Sequence, residues 1–297
     1  MGKSTPILCI GSVLWDIIGR APIKMNQGED MPGRVTRLPG GVAMNIAMAL
    51  AGFGAQVALL SAVGKDTEGQ ELVNAAEKMG LNTEFLFRSA DLPTDRYMAI
   101  EAQNGLIAAI ADAHSLEAAG MRVLEPLIDG RLASPALPWA GLVVIDGNLP
   151  ADMLQMIASG PLFAASDLRI VPASPGKAER LKGFLGHKNA VLYLNLAEAN
   201  LLCSAHHTQT SDAAAALIAL GLSRVLITNG RMATSEARAD GFMQSHLPPK
   251  VPVNRVTGAG DMFMAAHIAE ELKGENAENA LTSALAATAS YISKGAE

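Results

Sequence analysis

Three short stretches of this chain carry residue types whose spacing could do chemistry. In the first, Thr257-Gly258-Ala259-Gly260-Asp261 places three small residues and a carboxylate just ahead of an apolar helical run. Glycines let backbone N–H groups converge on an anion, and a helix N-terminus adds partial positive charge. Asp261 in the first turn suits two roles, a dipole-compensating cap or an acceptor for a hydroxyl proton at that anion site. In the second, Pro39-Gly40-Gly41 leads into a helix carrying Asn45. Paired glycines allow a ligand close to the backbone, and an amide can both donate to and accept from hydroxyls; a plain tight turn with Asn45 on the helix surface has the same pattern. Asp16, a few residues past the first apolar run, could accept from two vicinal hydroxyls or be an ordinary loop acid. In the third, Asn195-Leu196-Ala197-Glu198 sets an amide and a carboxylate three apart. At a strand-to-helix turn that pair could hold a hydrated magnesium ion, or simply form a capping box.

These residues need a frame. Ile7-Leu8-Cys9-Ile10-Gly11 is a continuous apolar run ending at glycine, as expected of a strand buried on both faces. The pattern recurs at residues 57–61, 142–146, 168–171, 190–194 and 224–228. Helical stretches are expected between these runs, over 43–51, 67–79, 151–158, 177–184, 211–220 and 260–272. Such alternation predicts a doubly wound α/β sheet with ligands beyond the carboxyl ends of its strands. Two segments, about 17–38 and 94–112, break the alternation. They read as a small antiparallel flap with a turn at Asn104-Gly105, or as edge strands of the main sheet.

With 297 residues, 49% hydrophobic and 18% charged, the chain can bury a large core. No Pro/Gly/Ser-rich or charge-rich linker divides it, so a single domain over 1–297 is expected. A net charge of −6 argues against nucleic acid or an anionic membrane as partner, and no apolar stretch is long enough to span a bilayer. Cys9 and Cys203 have no ligand-like spacing and are expected as buried free thiols; with no apolar leader in Met1–Pro6, the cytoplasm is the expected location. Neither a P-loop nor a G-x-G-x-x-G fingerprint is present.

Taken together, Gly40-Gly41-x-Ala43-x-Asn45-x-Ala47, Asn195-x-x-Glu198 and Thr257-Gly258-Ala259-Gly260-Asp261 resemble, in order and spacing, the ribokinase-like (pfkB-type) carbohydrate and nucleoside kinases across essentially the whole chain. Within that family the chain resembles the pseudouridine kinases, on Gly11-Ser12-x-x-x-Asp16, Pro32-Gly33-Arg34, residues 60–66 and Asp146-Gly147-Asn148. The resemblance implies a three-layer α/β/α Rossmann-like body with a β-sheet lid, and transfer of phosphate from ATP-Mg²⁺ to the 5′-hydroxyl of a ribosyl substrate such as pseudouridine. A ribokinase or another sugar kinase is the alternative, and a nucleotide-binding sensor the non-enzymatic one. It further implies Asp261 as base, with the amides of Gly258, Ala259 and Gly260 as anion hole. Asp16, Gly40, Gly41 and Asn45 would hold the ribose, Asp146, Asn148 and Tyr97 being further substrate contacts. Asn195 and Glu198 would organise magnesium, Glu198 through water, while Thr228, Gly230 and Thr257 would line the nucleotide side. A homodimer through the lid is a further implication. Arg255 stands where many relatives carry an acid or amide of a monovalent-cation site, so potassium activation is expected to be weak or absent.

Overall fold

The computed structural model describes residues 5–294. The chain opens with β1 (Ile7–Ile10), β2 (Leu14–Arg20), β3 (Arg34–Gly40) and α1 (Val42–Gly52), followed by β4 (Val57–Leu60), β5 (Ala62–Gly64), α2 (Thr67–Lys78) and β6 (Phe87–Ser89). Next come β7 (Arg96–Ala102), β8 (Gly105–Asp112), α3 (His114–Ala119), β9 (Leu142–Asp146), α4 (Ala151–Ser159), β10 (Asp167–Val171), β11 (Ala190–Asn195) and α5 (Leu196–Cys203). The last third contains α6 (Thr210–Ala219), β12 (Arg224–Thr228), β13 (Thr234–Arg238), β14 (Met243–His246), α7 (Ala259–Leu272) and α8 (Ala277–Ser293).

Eight strands form the central sheet in the order β14-β13-β12-β11-β10-β9-β1-β4. The six from β12 to β4 are parallel, and each is one of the expected apolar runs. Because successive side chains alternate between faces, each run feeds two cores. Leu8, Ile10, Val143, Ile145, Leu192 and Leu194 pack with α3 to α6 on one side. Cys9, Leu59, Val144, Tyr193 and Leu226 pack with α1, α2, α7 and α8 on the other. The result is the three-layer α/β/α body. The order reverses direction at β1, which lies between β4 and β9, and that switch point opens a crevice at the strand carboxyl ends.

Four features depart from what the sequence led us to expect. Residues 177–184 are not α-helical but belong to a run of 3₁₀ turns, Pro175–Phe184, in which Pro175, Gly176 and Gly183 weaken helix formation. Strands β13 and β14 pair antiparallel at the sheet edge, where no apolar run announces them, because their residues are largely polar and the buried Glu236 is held by Arg224 and Arg238. The flap segments form a separate four-stranded sheet, β3-β2-β7-β8, that is mixed rather than antiparallel: β2 and β7 run parallel, and the first hairpin extends from Leu14 to Gly40. Cys9 is buried as expected, whereas Cys203 is partly exposed.

The register of that sheet matters for the site. Asp16 lies beside Tyr97 on one flank and Leu38 on the other, and Tyr97 beside Ala111, so these side chains share one face. The opposite face carries Val35, Met98, Ile100 and Ile110, all exposed.

Candidate active site

The crevice is gathered by a fully buried carboxylate. Asp146, at the end of β9, accepts at Oδ2 from the Ser12 amide (2.8 Å), the Ser12 hydroxyl (2.8 Å) and the Ala43 amide (3.0 Å), and at Oδ1 from the Asn148 amide (2.8 Å). The Ala43 N–H is one of the orphan donors at the start of α1, so Asp146 ties the ends of β1 and β9 to that helix. Ser12 Oγ accepts in turn from Val42 N and Asn148 Nδ2, each at 2.8 Å. Space is tight. A Cβ on Gly11 would lie 2.3 Å from the Asp146 carboxyl carbon, and one on Gly41, whose φ is 93°, would lie 2.5 Å from Ser12 O. Asp146, expected as a substrate contact, is instead walled off from the cleft, with its oxygens committed to the scaffold. Its neighbour Asn148 does reach the cleft.

Into this frame α1 and α7 bring Asn45 and Asp261. Asn45 Nδ2 donates to Asp261 Oδ2 at 2.9 Å, joining the two helices at their first turns. Helix α7 begins after Gly258 in the left-handed region, φ 80°, where a Cβ would sit 2.5 Å from the Tyr291 hydroxyl. Among the described residues the N–H groups of Gly258 and Gly260 have no protein acceptor, whereas Ala259 N–H is spent on Val256 O at 3.0 Å. Of the three amides expected to receive an anion, that of Ala259 is therefore committed within the turn. Asp261 is partly exposed to the cleft but deeply set, and loss of hydration pushes its carboxyl up to about 7; the Asn45 hydrogen bond opposes this, and Asp146, Asp16 and Glu198 add to it. Asp16 faces the same space from β2, pushed up to about 6 by burial. Gly40 lies directly beneath it, since a Cβ there would be 2.2 Å from the Asp16 carboxyl carbon.

Asn195 and Glu198 form a reciprocal capping box at the start of α5: Glu198 N donates to Asn195 Oδ1 (2.9 Å) and Asn195 N donates to Glu198 Oε2 (2.8 Å). Both still line the cleft. Burial pushes Glu198 up to about 7 against those bonds. Its Oε1 remains uncommitted, which suits a cation held through water. The carbonyl of Asn195 is used in the cap, so its free end is an N–H₂ donor, better matched to a phosphate oxygen than to a metal. No cluster of three or more His, Cys, Asp or Glu among the described residues could form a full metal cage.

The cleft, about 440 Å³, brings together Asp16, Gly41, Asn45, Tyr97, Asn148, Asn195, Glu198, Thr228 and residues 257–261. Besides Asp146, two of the expected contacts lie elsewhere. Gly40 supports Asp16 from below, and Gly230 sits in an exposed turn beyond β12. Ser12, Leu14, Lys177 and Tyr193 also line the cleft, although sequence reasoning assigns them no role there. Ser12 directly follows Gly11 at the end of the first apolar run, and that position is a usable signal; Lys177 carries none.

Fold and site together define the class, a three-layer α/β/α protein of ribokinase-like architecture with its ligand crevice at the strand carboxyl ends. A carbohydrate kinase from Agrobacterium tumefaciens has the same structure at TM-score 0.78 and 28% identity, over 96% of this chain and 90% of that one. The Arabidopsis thaliana ribokinase complexed with ribose and ATP shares the fold at TM-score 0.78 and 20% identity, over 98% and 94%. The pattern of the pfkB family carbohydrate kinases matches residues 4–296, and the chain belongs to that family. In sequence it is 29% identical to an uncharacterized sugar kinase of Escherichia coli K12, YeiI, over 94% of this chain and 76% of that protein. It is 27% identical to a pseudouridine kinase of the same organism, over 89% and 83%. The chain is accordingly a phosphotransferase of the sugar and nucleoside kinase type, acting on a hydroxyl acceptor.

Two outcomes are expected from this geometry. Asp146→Ala leaves several buried donors unsatisfied, so urea denaturation should show a loss of roughly 3–5 kcal/mol. Asp261 has a folded-state value of about 7, above its ordinary 3.8. The unfolded chain therefore releases that proton first, and the buried carboxyl costs stability increasingly as pH rises from about 4 to about 7. Asp261→Asn should melt progressively higher than the parent across that window, and an unchanged difference from pH 4 to 8 would contradict the assignment.

Proposed function

We propose that this protein is an ATP-dependent kinase that phosphorylates the primary hydroxyl of a ribosyl substrate, with pseudouridine as the first candidate. The observation that carries this reading is the meeting of Asp261, Asn45 and the open amides of Gly258 and Gly260 at one point of the crevice. Phosphoryl transfer needs alignment and charge stabilisation more than covalent help, and these groups supply both. In the proposed mechanism Asp16 and Asn45 hold the sugar hydroxyls, with the Gly41 backbone close beneath. Asp261 takes the proton of the primary hydroxyl as its oxygen attacks the terminal phosphorus, and the bond from that phosphorus to the bridging oxygen breaks to release ADP. Gly258 and Gly260 donate to the oxygens of the group in transit. Asn195 Nδ2 and Thr228 face the phosphate side, and Glu198 would hold magnesium there through water. Magnesium bound with ATP neutralises charge on the phosphates. The four-stranded sheet closes over the sugar through Asp16, Tyr97 and Ala111 and limits loss of ATP to water.

Pseudouridine is favoured by the branch motifs and by the 27% identical relative; the ribokinase of Bacillus subtilis, 26% identical over 98% of this chain, favours free ribose as the second candidate. We place the reaction in the cytoplasm, where ATP is available; among the described residues no helix is long and apolar enough to cross a membrane. The exposed face of Val35, Met98, Ile100 and Ile110 is the surface assigned to a homodimer, and a monomeric mass in solution would remove it.

Potassium is not needed on this reading. The Arg255 guanidinium stacks 4.0 Å over the Tyr291 ring and donates to its hydroxyl, which in turn donates to Thr257 O at 3.1 Å. A fixed positive charge thus already buttresses the turn before Asp261, and a guanidinium has no lone pair for a cation.

ADP formation screened over pseudouridine, uridine, adenosine, ribose and fructose should be fastest with pseudouridine, and no acceptor-dependent ADP would favour a sensor. With the best acceptor, kcat/KM should rise with pH to a plateau above about 7. Asp261→Asn should cut kcat by roughly 10²–10⁴ with little change in acceptor affinity; unchanged turnover would exclude it as base. Replacing sodium by potassium at matched ionic strength should leave kcat unaltered, and clear stimulation would refute the role given to Arg255.

A further inference from the structure

Lys177 is the only basic side chain among the described residues lining the cleft, set against Asp16, Glu198 and Asp261. It follows β10 and is half-buried, and its Nζ donates to Asn148 Oδ1 at 2.6 Å. No carboxylate among the described residues lies within ion-pair distance of it. An ammonium has three N–H donors, and one is used. Burial, reinforced by Arg180, holds its pKa below the usual lysine value, with Asp146 and Glu117 acting in the opposite sense. A half-buried cation without an acidic partner is costly unless a ligand supplies the missing acceptor.

Its position indicates which part of a ligand that is. Asn148 is fixed from the other side, because its Nδ2 donates to Ser12 Oγ, which donates to Asp146. The Asn148 carbonyl is thereby aimed at Lys177 and draws the ammonium toward the β9 side of the crevice. Ser12, the other partner of Asn148, leads into β2, where Asp16 pairs beside Tyr97, whereas Asn195 and Glu198 follow β11, on the far side of β10 from β9. Leu14, Ala111 and Ala113 supply apolar wall in the same cleft, suited to a flat ring.

We propose that Lys177 is a specificity-determining residue whose Nζ donates to a carbonyl oxygen on the ring attached to the ribose, selecting ribosides of oxo-substituted bases over free sugar. This rests on the kinase function proposed above. It goes further by naming the group that reads the base.

The test compares the intact protein with Lys177→Met and Lys177→Arg, using steady-state kinetics with pseudouridine and ATP and calorimetry of pseudouridine binding. Loss of one charged hydrogen bond should raise KM and Kd for pseudouridine roughly 10–100-fold in Lys177→Met, with partial recovery in Lys177→Arg. The kcat value and the KM for ATP should stay within about threefold, since the contact is remote from the transferring phosphate. A fall in kcat or a rise in the KM for ATP with pseudouridine affinity unchanged would overturn the proposal and move Lys177 to the phosphates. Unaltered constants would overturn it too. The calorimetric arm separates the two levels: a parent protein that binds pseudouridine more tightly than Lys177→Met without phosphorylating it would sink the kinase reading and leave the Lys177 contact standing. Equal phosphorylation of pseudouridine by the parent and by Lys177→Met would do the reverse. A parent that neither binds nor phosphorylates pseudouridine would overturn both.

Discussion

The site depends on one carboxylate buried behind the cleft. Asp146 satisfies the amides of Ser12, Ala43 and Asn148 together with the Ser12 hydroxyl, so a single side chain fixes the ends of β1 and β9 and the start of α1. Each of those donors would otherwise be buried without a partner, at a cost of about 1–3 kcal/mol apiece. The crowding at Gly11 and Gly41 follows from the same contact, because strand ends and helix start can approach so closely only where no Cβ intervenes. From α1 the constraint passes to Asn45, and through its hydrogen bond to Asp261 on α7. The Asp261 carboxyl is thus positioned by a chain of contacts that begins at the switch point of the sheet.

The same arrangement concentrates negative charge. Asp16, Asp261 and Glu198 face one cleft with Asp146 behind them, and burial raises all three cleft carboxyls above their ordinary values. An empty cleft of this kind is electrostatically frustrated. Cations and donors arriving with the ligands relieve the frustration, and a carboxyl near 7 is well matched to taking up a proton at physiological pH. The protein's own offsets are few: the Asn45 amide, the α7 N-terminus, Lys177 at one end and Arg255 behind the turn. Such a site binds its phosphate donor and acceptor partly because it is unstable without them.

Much of the body is legible in the sequence, since parallel strands buried on both faces are continuous apolar runs that alternate with helices. Residues on turns are legible too: Asn45, Glu198 and Asp261 stand beside glycines or strand ends where chemistry needs backbone access. Other features leave no such trace. Strands β13 and β14 are held by ion pairs around Glu236, which periodicity does not register. The parallel pairing of β2 with β7 is a matter of tertiary assembly, as the two strands are separated by the first body helices. Asp146 stands in the sequence like any acid after a strand, and only its burial reveals a scaffold role. Lys177 sits in a Pro- and Gly-containing 3₁₀ segment, 29 residues from the amide that positions it.

The central claim is that Asp261 accepts the proton of the hydroxyl being phosphorylated. The most direct measurement is a crystal structure of the protein with the acceptor and a non-hydrolysable ATP analogue. On this mechanism the acceptor's primary hydroxyl oxygen lies within hydrogen-bond distance of an Asp261 carboxyl oxygen, about 2.6–3.0 Å, with the terminal phosphate against the amides of Gly258 and Gly260. A bound acceptor whose primary hydroxyl points to another side chain, with Asp261 serving only Asn45 and the start of α7, would contradict it.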